Sequence, residues 1–433
     1  MTTRITALLG AGSTLDLLRG DGIVVPTSNN ILSGILDLKS STLDLGIYPV
    51  LKEIHDKVVD VLRTIGSDEF RRIYRVEYLN FEELLHVIEM CYAYSSCWKN
   101  EYLHPGAYPV FGALINPCDV LCKFQTMDFY DALYTAIGRI MEIVHAYDAD
   151  FGKHLDENTW FVDFWRSNQC FDVFNLNYDS VVEQCLDEYN DGFVPLKEKL
   201  NIAHFDPDMY LRNPKELPSV SHLHGSIYLS EYHIAEFNYR HSHRDLYKCA
   251  SYDVAQEERK VLQCSPQNQA KEHYLALPII TGLHKTDKIT FAPFNFYHAN
   301  FANKICYNNA LLIVGYSFGD LYLNQLLERI ILVHGKKARI VLIDCMPEFI
   351  RDNNSVVKYI SQNGRYTEFV SRMIEHNPLV WAKVVTGEEE PPMYFESWYK
   401  PILSKNGCLM MFICGFKKAV TMHKNEIMEF LNS

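Results

Sequence analysis

The chain has 433 residues, of which 48% are hydrophobic and 22% charged, and its formal net charge is −13. The apolar share excludes a largely disordered chain, and the length predicts about two to three units of roughly 150 residues each. The acidic balance argues against a surface built for direct binding of nucleic acid, because phosphate backbones select basic patches.

The cysteines and the apolar runs predict a reduced, cytoplasmic protein. The chain has 12 cysteines but no CxxC pair, and the closely spaced Cys118 and Cys122 are too few ligands for structural zinc, so no metal is expected. The first residues lack the apolar core of a signal peptide. The longest apolar runs fall short of the ~18 residues of a membrane span, so no membrane association is expected.

The first half of the chain begins with a strand and continues into helices. Apolar residues 5–9 predict a buried strand that ends in a glycine turn, and 31–38 a short helix. Between Tyr48 and Asp148 apolar residues recur at helical spacing. We expect a helical subdomain there, inserted after the first strand and helix.

Strands return in the second half. Apolar runs predict strands at 171–176, 220–223, 310–314, 339–343 and 409–413, helices at 180–188 and 320–333 and after the last strand, and an irregular stretch at 231–268. Strands that alternate with helices predict an α/β fold with a doubly wound, Rossmann-like parallel sheet. We expect a Rossmann-like domain of residues 1–45 and 165–385, the helical insertion at 46–164, and a small strand-helix element at 386–433 set off by a loop near 388–392.

Unusual residues follow four of the predicted strands, at the edge where open α/β sheets bind their ligands. The four strand ends are Gly10-Ala11-Gly12-Ser13, Asn177-Tyr178-Asp179, His224-Gly225-Ser226 and Gly315-Tyr316-Ser317-Phe318-Gly319-Asp320. Their coincidence at one edge is a stronger indication of a ligand site than any one of them.

Each of these residues also has a purely structural interpretation. Gly10 and Gly12 let backbone amides approach a phosphate, or they form a plain turn, and Leu15 stands where a dinucleotide fingerprint has glycine. Asn177 can hold a hydroxyl group or a water molecule, or cap a helix. His224 can act as a general base or serve the fold alone. Asp320 is expected to cap the helix that follows it whatever else it does.

The order of these motifs resembles that of the sirtuin superfamily over residues 5 to about 345. The details resemble its divergent bacterial branch, the sirtuin-like NAD+ hydrolases of antiphage defence, more than its deacylases. Deacylases carry a four-cysteine zinc module after the His-Gly pair, whereas Cys249 and Cys264 stand alone here. The resemblance therefore implies NAD+ as substrate, no zinc and no deacylation.

The resemblance also implies a role for each position. Asn177 would orient the attacking water or ribose hydroxyl, Asp179 would hold the nicotinamide pocket or Asn177 itself, and His224 would be the general base. The turn at Gly10 would take the pyrophosphate, and Thr27 would lie in a loop over the nicotinamide ribose. The residues expected to bind NAD+ are Gly10, Ala11, Gly12, Ser13, Thr27, Gly225, Gly315, Ser317, Gly319 and Asp320.

Two other functions are compatible with the sequence. Gly315 to Gly319 matches the Gly-x-Ser-x-Gly nucleophile elbow, and Ser317 followed by Asp344 and by His376 or His423 has the order of an α/β-hydrolase triad. The hydrolase interpretation assigns no role to the residues at the other three strand ends. The second alternative is a non-catalytic subunit that binds NAD+ or another nucleotide within an assembly.

The expected activity needs a control, because an enzyme that constantly destroyed NAD+ would kill its own cell. We therefore expect a homo-oligomer or a partner encoded nearby, a HerA-type ATPase or an Argonaute-like protein. The chain length leaves no room for a separate sensor domain, and the charge of −13 argues against direct nucleic-acid sensing.

Overall fold

The computed structural model describes most of the chain in two compact units. The described residues are 4–37, 47–64, 80–99, 124, 126–168, 170–230, 246–263, 278–281, 285–345, 369–371, 393–394 and 399–433. The first unit comprises Met1–Asp21, Asp148–Leu262 and Ile289–Ser433, and the second comprises Gly22–Tyr147 and Gln263–Lys288.

The strands and helices are numbered here in chain order. The strands are β1 (Ile5–Leu9), β2 (Phe171–Asn175), β3 (Phe193–Pro195), β4 (Ile202–Phe205), β5 (Ser219–His222), β6 (Leu229–Ser230), β7 (Tyr247–Cys249), β8 (Ala310–Val314), β9 (Arg339–Ile343), β10 (Met393–Tyr394), β11 (Ile402–Ser404) and β12 (Leu409–Phe412). The α-helices are α1 (Ser28–Leu36), α2 (Ile47–Thr64), α3 (Phe81–Lys99), α4 (Thr126–Lys153), α5 (Thr159–Ser167), α6 (Pro207–Arg212), α7 (Tyr252–Gln263), α8 (Lys285–Lys288), α9 (Phe294–Tyr307), α10 (Leu321–His334) and α11 (Phe416–Asn432).

The first unit is built on an eight-stranded sheet with the order β10-β11-β12-β9-β8-β1-β2-β5. The six strands from β12 to β5 are parallel, and β11 and β10 continue the sheet antiparallel. β1 lies in the middle, where Leu8 pairs with Phe174 of β2 and with Ile313 of β8. The predicted α/β, Rossmann-like class is confirmed.

The sheet is covered by helices on both faces, which explains why its central strands are buried along their whole length. Every residue of β1, β2 and β8 is buried. On one face Leu8, Leu311 and Ile313 share a core cluster with residues of α9 and α10. On the other face α11 packs against β8 and β9 and against α5. Aromatic rings of α5 and α11 fill that contact, for example Phe164 against Phe416.

A second, antiparallel sheet with the order β3-β4-β7-β6 belongs to the same unit. Part of it lies in the stretch 231–268 that was predicted to be irregular. That prediction is wrong where the structure describes the stretch, since residues 247–249 form β7 and residues 252–263 form α7. Tyr252 and Ala255 of α7 are buried. The many charged side chains of this helix make its short apolar stripe difficult to recognise in the sequence.

The helix predicted at 180–188 is also wrong. The segment forms a turn and a single 3₁₀ turn, Glu183–Cys185. The Ser180 amide donates to the Asp148 carboxylate at 2.6 Å, and the Cys185 amide donates to the Val182 carbonyl at 3.0 Å. Leu186 is extended and ends the turn. The hydrogen bonds described for the segment therefore close one short turn and do not continue as an α-helix.

The other predicted elements of the first unit form at or near the expected residues. β1, β8 and β9 have the predicted bounds, and α10 begins one residue after Asp320. The segment 386–433 contributes β10, β11 and β12 to the main sheet before α11. The predicted loop at 388–392 lies outside the described residues, as do Cys118 and Cys122.

The second unit is helical where it is described. Thr27 caps α1, and Val50 and Ile54 of α2 are buried, as are Leu84 and Leu85 of α3. The packing of α2 and α1 against α3 uses these apolar faces. In neither unit do the described residues include a helix that is long and apolar enough to cross a membrane.

Candidate active site

The four predicted strand ends meet at one edge of the main sheet. Because β8, β1, β2 and β5 are neighbours and parallel, the turns that follow them emerge on the same side. These turns begin at Gly10, Leu176, Leu223 and Gly315. All of them belong to the first unit.

The turn after β1 uses most of its amides within the protein. The Gly10 amide donates to the Val314 carbonyl at 2.9 Å, the Gly12 amide donates to the Gly315 carbonyl at 3.0 Å, and the Ser13 amide closes a 3₁₀ turn on Gly10. In this conformation these three amides are therefore directed at backbone carbonyls and not at a phosphate. Ala11 is the exposed residue of the turn.

The turns after β1 and β8 are in backbone contact, and this contact requires glycine on both sides. A Cβ atom on Gly12 would lie 2.6 Å from the Gly315 Cα, and a Cβ on Gly10 would lie 2.5 Å from the Gly315 oxygen. Gly315 has φ +60°, and its own Cβ would meet Gly12 backbone atoms at 2.2 Å and 2.3 Å. The motif glycines thus fix the distance between two turns of the site.

The loop after β8 is held by its own side chains. The Tyr316 hydroxyl donates to the Asp320 carbonyl at 3.0 Å and to Asn324 Oδ1 at 2.8 Å, and Asn324 Nδ2 donates to the Phe318 carbonyl at 2.9 Å. Phe318 is fully buried and has φ +56°. Ser317 and Gly319, two of the predicted NAD+-binding residues, alternate with these anchors and are exposed.

His224 is paired with the carboxylate of Asp320. His224 Nε2 lies 3.2 Å from Asp320 Oδ2, and both side chains are about nine-tenths buried. The other oxygen, Asp320 Oδ1, accepts the Tyr322 and Leu323 amides at 3.0 and 3.2 Å, so the predicted helix cap is confirmed. A carboxylate on one nitrogen orients an imidazole ring and stabilises its protonated form, which is the arrangement a general base needs. The sequence placed Asp320 with the NAD+-binding residues and did not indicate this contact.

Asn177 lies next to the turn after β1. Its side-chain Nδ2 is 3.3 Å from the Oγ of Ser13, its amide donates to Asn175 Oδ1 at 3.0 Å, and its carbonyl is 3.1 Å from His222 Nδ1. Ser13 is buried and Asn177 half-buried. The structure therefore brings two predicted residues, Asn177 and Ser13, into direct contact and adds a third, His222, that was not predicted.

Asp179 lies in a buried layer beneath Asn177. Burial, reinforced by the neighbouring Asp148 carboxylate and opposed by His222, raises the pKa of Asp179 to about 7. Burial also raises the pKa of Asp148, against hydrogen bonds from Tyr228 and Ser180. The one hydrogen bond described for Asp179 comes from the Val181 amide, at 3.3 Å. Asp179 is thus placed to support the loop that carries Asn177.

Two other predicted residues have structural roles in the described conformation. Gly225 is buried with φ +89°, which permits the sharp turn directly after His224. Thr27 caps α1 in the second unit by accepting the Asn30 amide at 3.4 Å.

The nucleophile-elbow alternative lacks its required geometry. In an elbow the serine itself occupies the strained turn and the helix follows directly. Here Gly315 and Phe318 have positive φ and Ser317 does not, and α10 begins only at Leu321. His423 uses both ring nitrogens elsewhere, near Glu426 at 3.0 Å and the Tyr399 carbonyl at 2.7 Å. His376 lies outside the described residues.

No cluster of three or more histidine, cysteine or acidic side chains that could hold a metal ion occurs in the described part of the chain. Cys249 is buried in β7. The predicted catalytic side chains that the structure places at this edge are those of Asn177 and His224.

His222, Glu183 and Asp148 also belong to the site, and the sequence analysis missed them. His222 lies two residues before His224, on the face of β5 that turns into the protein, and its Nε2 is 2.5 Å from Glu183 Oε1. Glu183 follows the Asn-Tyr-Asp motif by four residues. A histidine and a glutamate so close in sequence to two of the predicted site motifs were the available signal.

The fold and this arrangement define a class of protein, a Rossmann-like domain with a ligand site at the switch edge of its sheet. Residues 172–362 match the family model described as SIR2-like domain. The match supports a sirtuin-like superfamily assignment for this region and an NAD+-related function, and it includes Asn177, His224 and Asp320. A search of curated proteins finds no match for the chain.

The glycine contact yields a stability prediction. Gly315→Ala places a Cβ inside the Gly12 backbone and in a left-handed conformation, and we expect a loss of at least about 3 kcal/mol of unfolding free energy. Gly407→Ala is the matched control, because Gly407 has φ +73° with no atom within 4 Å of the added Cβ. It should cost only about 1 kcal/mol. Chemical denaturation measures both, and equal losses would contradict the close contact.

The raised pKa of Asp179 yields a pH prediction. Because the folded pKa of about 7 exceeds the unfolded value of 3.8, wild-type stability falls as the pH rises through this interval. Asp179→Asn removes the ionisation, so the stability of the variant relative to wild type should increase from pH 4 to pH 8, by at most about 4 kcal/mol.

Asp172→Asn is a control for which the pH dependence of stability should have the opposite sign. Burial would raise the pKa of Asp172, but Arg4 and Lys304 hold it below its ordinary value. Its ionised form therefore stabilises the fold above pH 4, and this substitution should be most harmful at neutral pH. Denaturation midpoints at both pH values decide the matter, and a flat difference for Asp179→Asn would contradict the buried, neutral carboxyl.

Proposed function

We propose that this protein is an NAD+ glycohydrolase that releases nicotinamide and an ADP-ribose product. The observation that carries the proposal is the presence of two pairs, Asn177 with Ser13 and His224 with Asp320, at one edge of a Rossmann-like sheet. Asn177, His224 and Asp320 lie in the region that matches a SIR2-like domain. An amide and a carboxylate-paired imidazole at one edge are the groups that glycosidic cleavage of NAD+ needs.

Cleavage of the bond between nicotinamide and ribose in NAD+ requires few catalytic groups. Nicotinamide leaves NAD+ as a neutral molecule from a cationic ring, so no general acid has to protonate it. The site must stabilise an oxocarbenium-like state and must hold a nucleophile on the correct face of the ribose. A neutral amide can orient water or a ribose hydroxyl without adding a charge that would have to be desolvated.

Each side chain then has a definite task. His224 accepts the proton of the attacking water or hydroxyl, and Asp320 fixes the ring so that one nitrogen faces the substrate. Asn177 orients the nucleophile, and Ser13 limits the rotation of the Asn177 amide. Ala11, Ser317 and Gly319 are exposed at the same edge, and the dinucleotide backbone is expected to run along these residues.

We further propose that the enzyme acts in the cytoplasm as the effector of a bacterial antiphage system that depletes NAD+. This proposal rests on the resemblance of the motif set to that branch of the sirtuin superfamily. Control by self-assembly or by a neighbouring HerA-type ATPase or Argonaute-like protein would keep the resting enzyme harmless.

The activity is tested by chromatographic measurement of nicotinamide from purified protein and NAD+, alone and with the product of the neighbouring gene. Asn177→Ala and His224→Ala should each lower the rate by about 10²–10⁴-fold. His154→Ala is the matched control, since His154 also contacts carboxylates, Glu157 at 2.9 Å and Asp150 at 3.6 Å, but at the surface. It should retain wild-type activity.

Three outcomes would overturn this proposal. Absence of nicotinamide under every condition would favour the non-catalytic nucleotide-binding subunit, provided that NAD+ still binds. Full activity of both variants would exclude the assigned residues. Esterase activity that is lost in Ser317→Ala would favour the serine hydrolase.

The dual role of Asp320 yields a second prediction. Asp320→Ser retains a side-chain oxygen that can cap α10 but removes the carboxylate from His224. We expect a fall in the rate of nicotinamide release of about 100-fold or more with little change in melting temperature. Asp320→Ala should show both the kinetic loss and a loss of about 1 kcal/mol from the missing cap. Unchanged kinetics in Asp320→Ser would show that His224 needs no carboxylate.

A further inference from the structure

His222 is a buried histidine whose two nitrogens both face acceptors. Its Nδ1 lies 3.1 Å from the Asn177 carbonyl oxygen, and its Nε2 lies 2.5 Å from Glu183 Oε1. Fewer than one-tenth of the His222 and Glu183 side chains is exposed. His222 ends β5 and pairs in the sheet with Asn175, so its backbone is fixed independently of these contacts.

Proton counting and the pKa directions together indicate the state of this pair. The Asn177 carbonyl oxygen can only accept, so His222 Nδ1 must carry a hydrogen for that bond to form. The lowered pKa of Glu183 favours its ionised form, which can also only accept, so His222 Nε2 carries the second hydrogen. The ring is then an imidazolium and Glu183 is its counterion. Burial would lower the pKa of His222, but the contact with Glu183 raises it above its ordinary value, and His222 in turn holds the pKa of the buried Glu183 down.

The Asn177 carbonyl oxygen is the atom through which the charged His222 ring contacts the proposed active site. The Asn177 amide is bound to Asn175 and the side chain contacts Ser13, so the bond to His222 completes three fixed points around one residue. A neutral ring that kept its hydrogen on Nε2 for Glu183 would turn the lone pair of Nδ1 toward the carbonyl oxygen. Two lone pairs at 3.1 Å repel, and the Asn177 peptide would rotate.

We propose that the His222–Glu183 ion pair is a positioning device that fixes the peptide of Asn177 and thereby aims its side-chain amide at the reacting group. The inference rests on the proposed NAD+ glycohydrolase function. His222 and Glu183 are positioning residues in this scheme, because His222 contacts Asn177, Glu183 contacts His222, and neither is assigned a contact with the substrate.

The surroundings explain why the pair is charged. Lys248 lies on β7 and binds Asp191 at 2.5 Å and the Tyr189 hydroxyl at 3.1 Å, and its charge acts on Glu183 and on His222. Asp179 faces His222 from the loop after β2. Glu183 Oε2 is buried and has no hydrogen-bond partner among the described residues. Within the described part of the chain, His222 is therefore the side chain that binds the Glu183 carboxylate directly.

The test replaces both members of the pair by apolar residues. His222→Leu/Glu183→Leu leaves no charge unpaired, and exchange of a whole buried ion pair for apolar side chains is often neutral for stability. We expect a melting temperature close to that of wild type, a kcat reduced about 10–100-fold, as misplacement of a reacting group by about 1 Å produces, and a KM within about threefold of the wild-type value. Lys199→Met/Glu258→Leu, which removes another ion pair of the same unit, should leave kcat unchanged.

Glu183→Gln is the conservative rescue. Its carboxamide can donate to His222 Nε2, which leaves the ring hydrogen on Nδ1 for the Asn177 carbonyl, so a neutral ring preserves the contact. We expect kcat close to wild type. A kcat that survives in the double apolar variant, or one that is lost equally in Glu183→Gln, would overturn the inference while nicotinamide release by wild type upholds the proposed function.

Nuclear magnetic resonance gives a readout that does not need activity. In ¹⁵N-labelled protein at pH 7.5, both ring nitrogens of His222 should be protonated. The Asn177 side-chain amide resonance, assigned with Asn177→Ala, should move in the double apolar variant and stay in place in Glu183→Gln. A neutral His222, or an Asn177 resonance that does not respond, overturns the inference even if the wild type proves inactive and the proposed function fails.

Discussion

The site depends on one contact that the sheet order makes difficult, the pairing of His224 with Asp320. Their strands, β5 and β8, are separated by β2 and β1, a distance of roughly 14 Å across three strand spacings. The loop after β8 must therefore run back over the end of β1 to reach His224. It can do so only because Gly10, Gly12 and Gly315 leave no Cβ between the two backbones. The glycines of the turns after β1 and β8 are therefore needed for the contact between His224 and Asp320.

Three acidic side chains are buried beneath this edge of the sheet. Asp148, Asp179 and Glu183 are all buried, and each is treated differently. Asp148 is bound by hydroxyl and amide donors, Asp179 favours its neutral form, and Glu183 is balanced by His222. A buried layer of this kind is costly unless every charge is compensated, so it ties the position of Asn177 to a specific set of neighbours.

The sequence was sufficient where a structure follows from local pattern. Four apolar residues of five identify β1, five consecutive apolar residues identify β8, and an aspartate before an apolar helix identifies the cap at Asp320. The edge position of Asn177 and His224 follows from the rule that parallel strands end on one side.

The sequence was insufficient where the outcome depends on contacts between distant segments. His224 and Asp320 are 96 residues apart, and no spacing rule joins them. The segment 180–188 has the composition of a helix, yet it forms only a short turn. Its side chains and first amide contact residues outside the segment, Ser180 with Asp148 and Glu183 with His222. Glu183 is a second example. A glutamate after a helix cap is usually solvated, and only the tertiary fold brings Glu183 into contact with His222.

The central place of β1 has a consequence for how the protein is made. Its two neighbours in the sheet, β2 and β8, are encoded far downstream, and the carboxylate of Asp16, just beyond β1, accepts the Lys417 amide 401 residues later, at the start of α11. During translation β1 therefore has no partner before β2 is made, and none on its other side before β8 is made, which makes the first unit a high-contact-order, slowly folding structure. A nascent chain on the ribosome cannot assemble the pair of His224 and Asp320 early. The proposed active site is therefore incomplete throughout most of the synthesis of the chain.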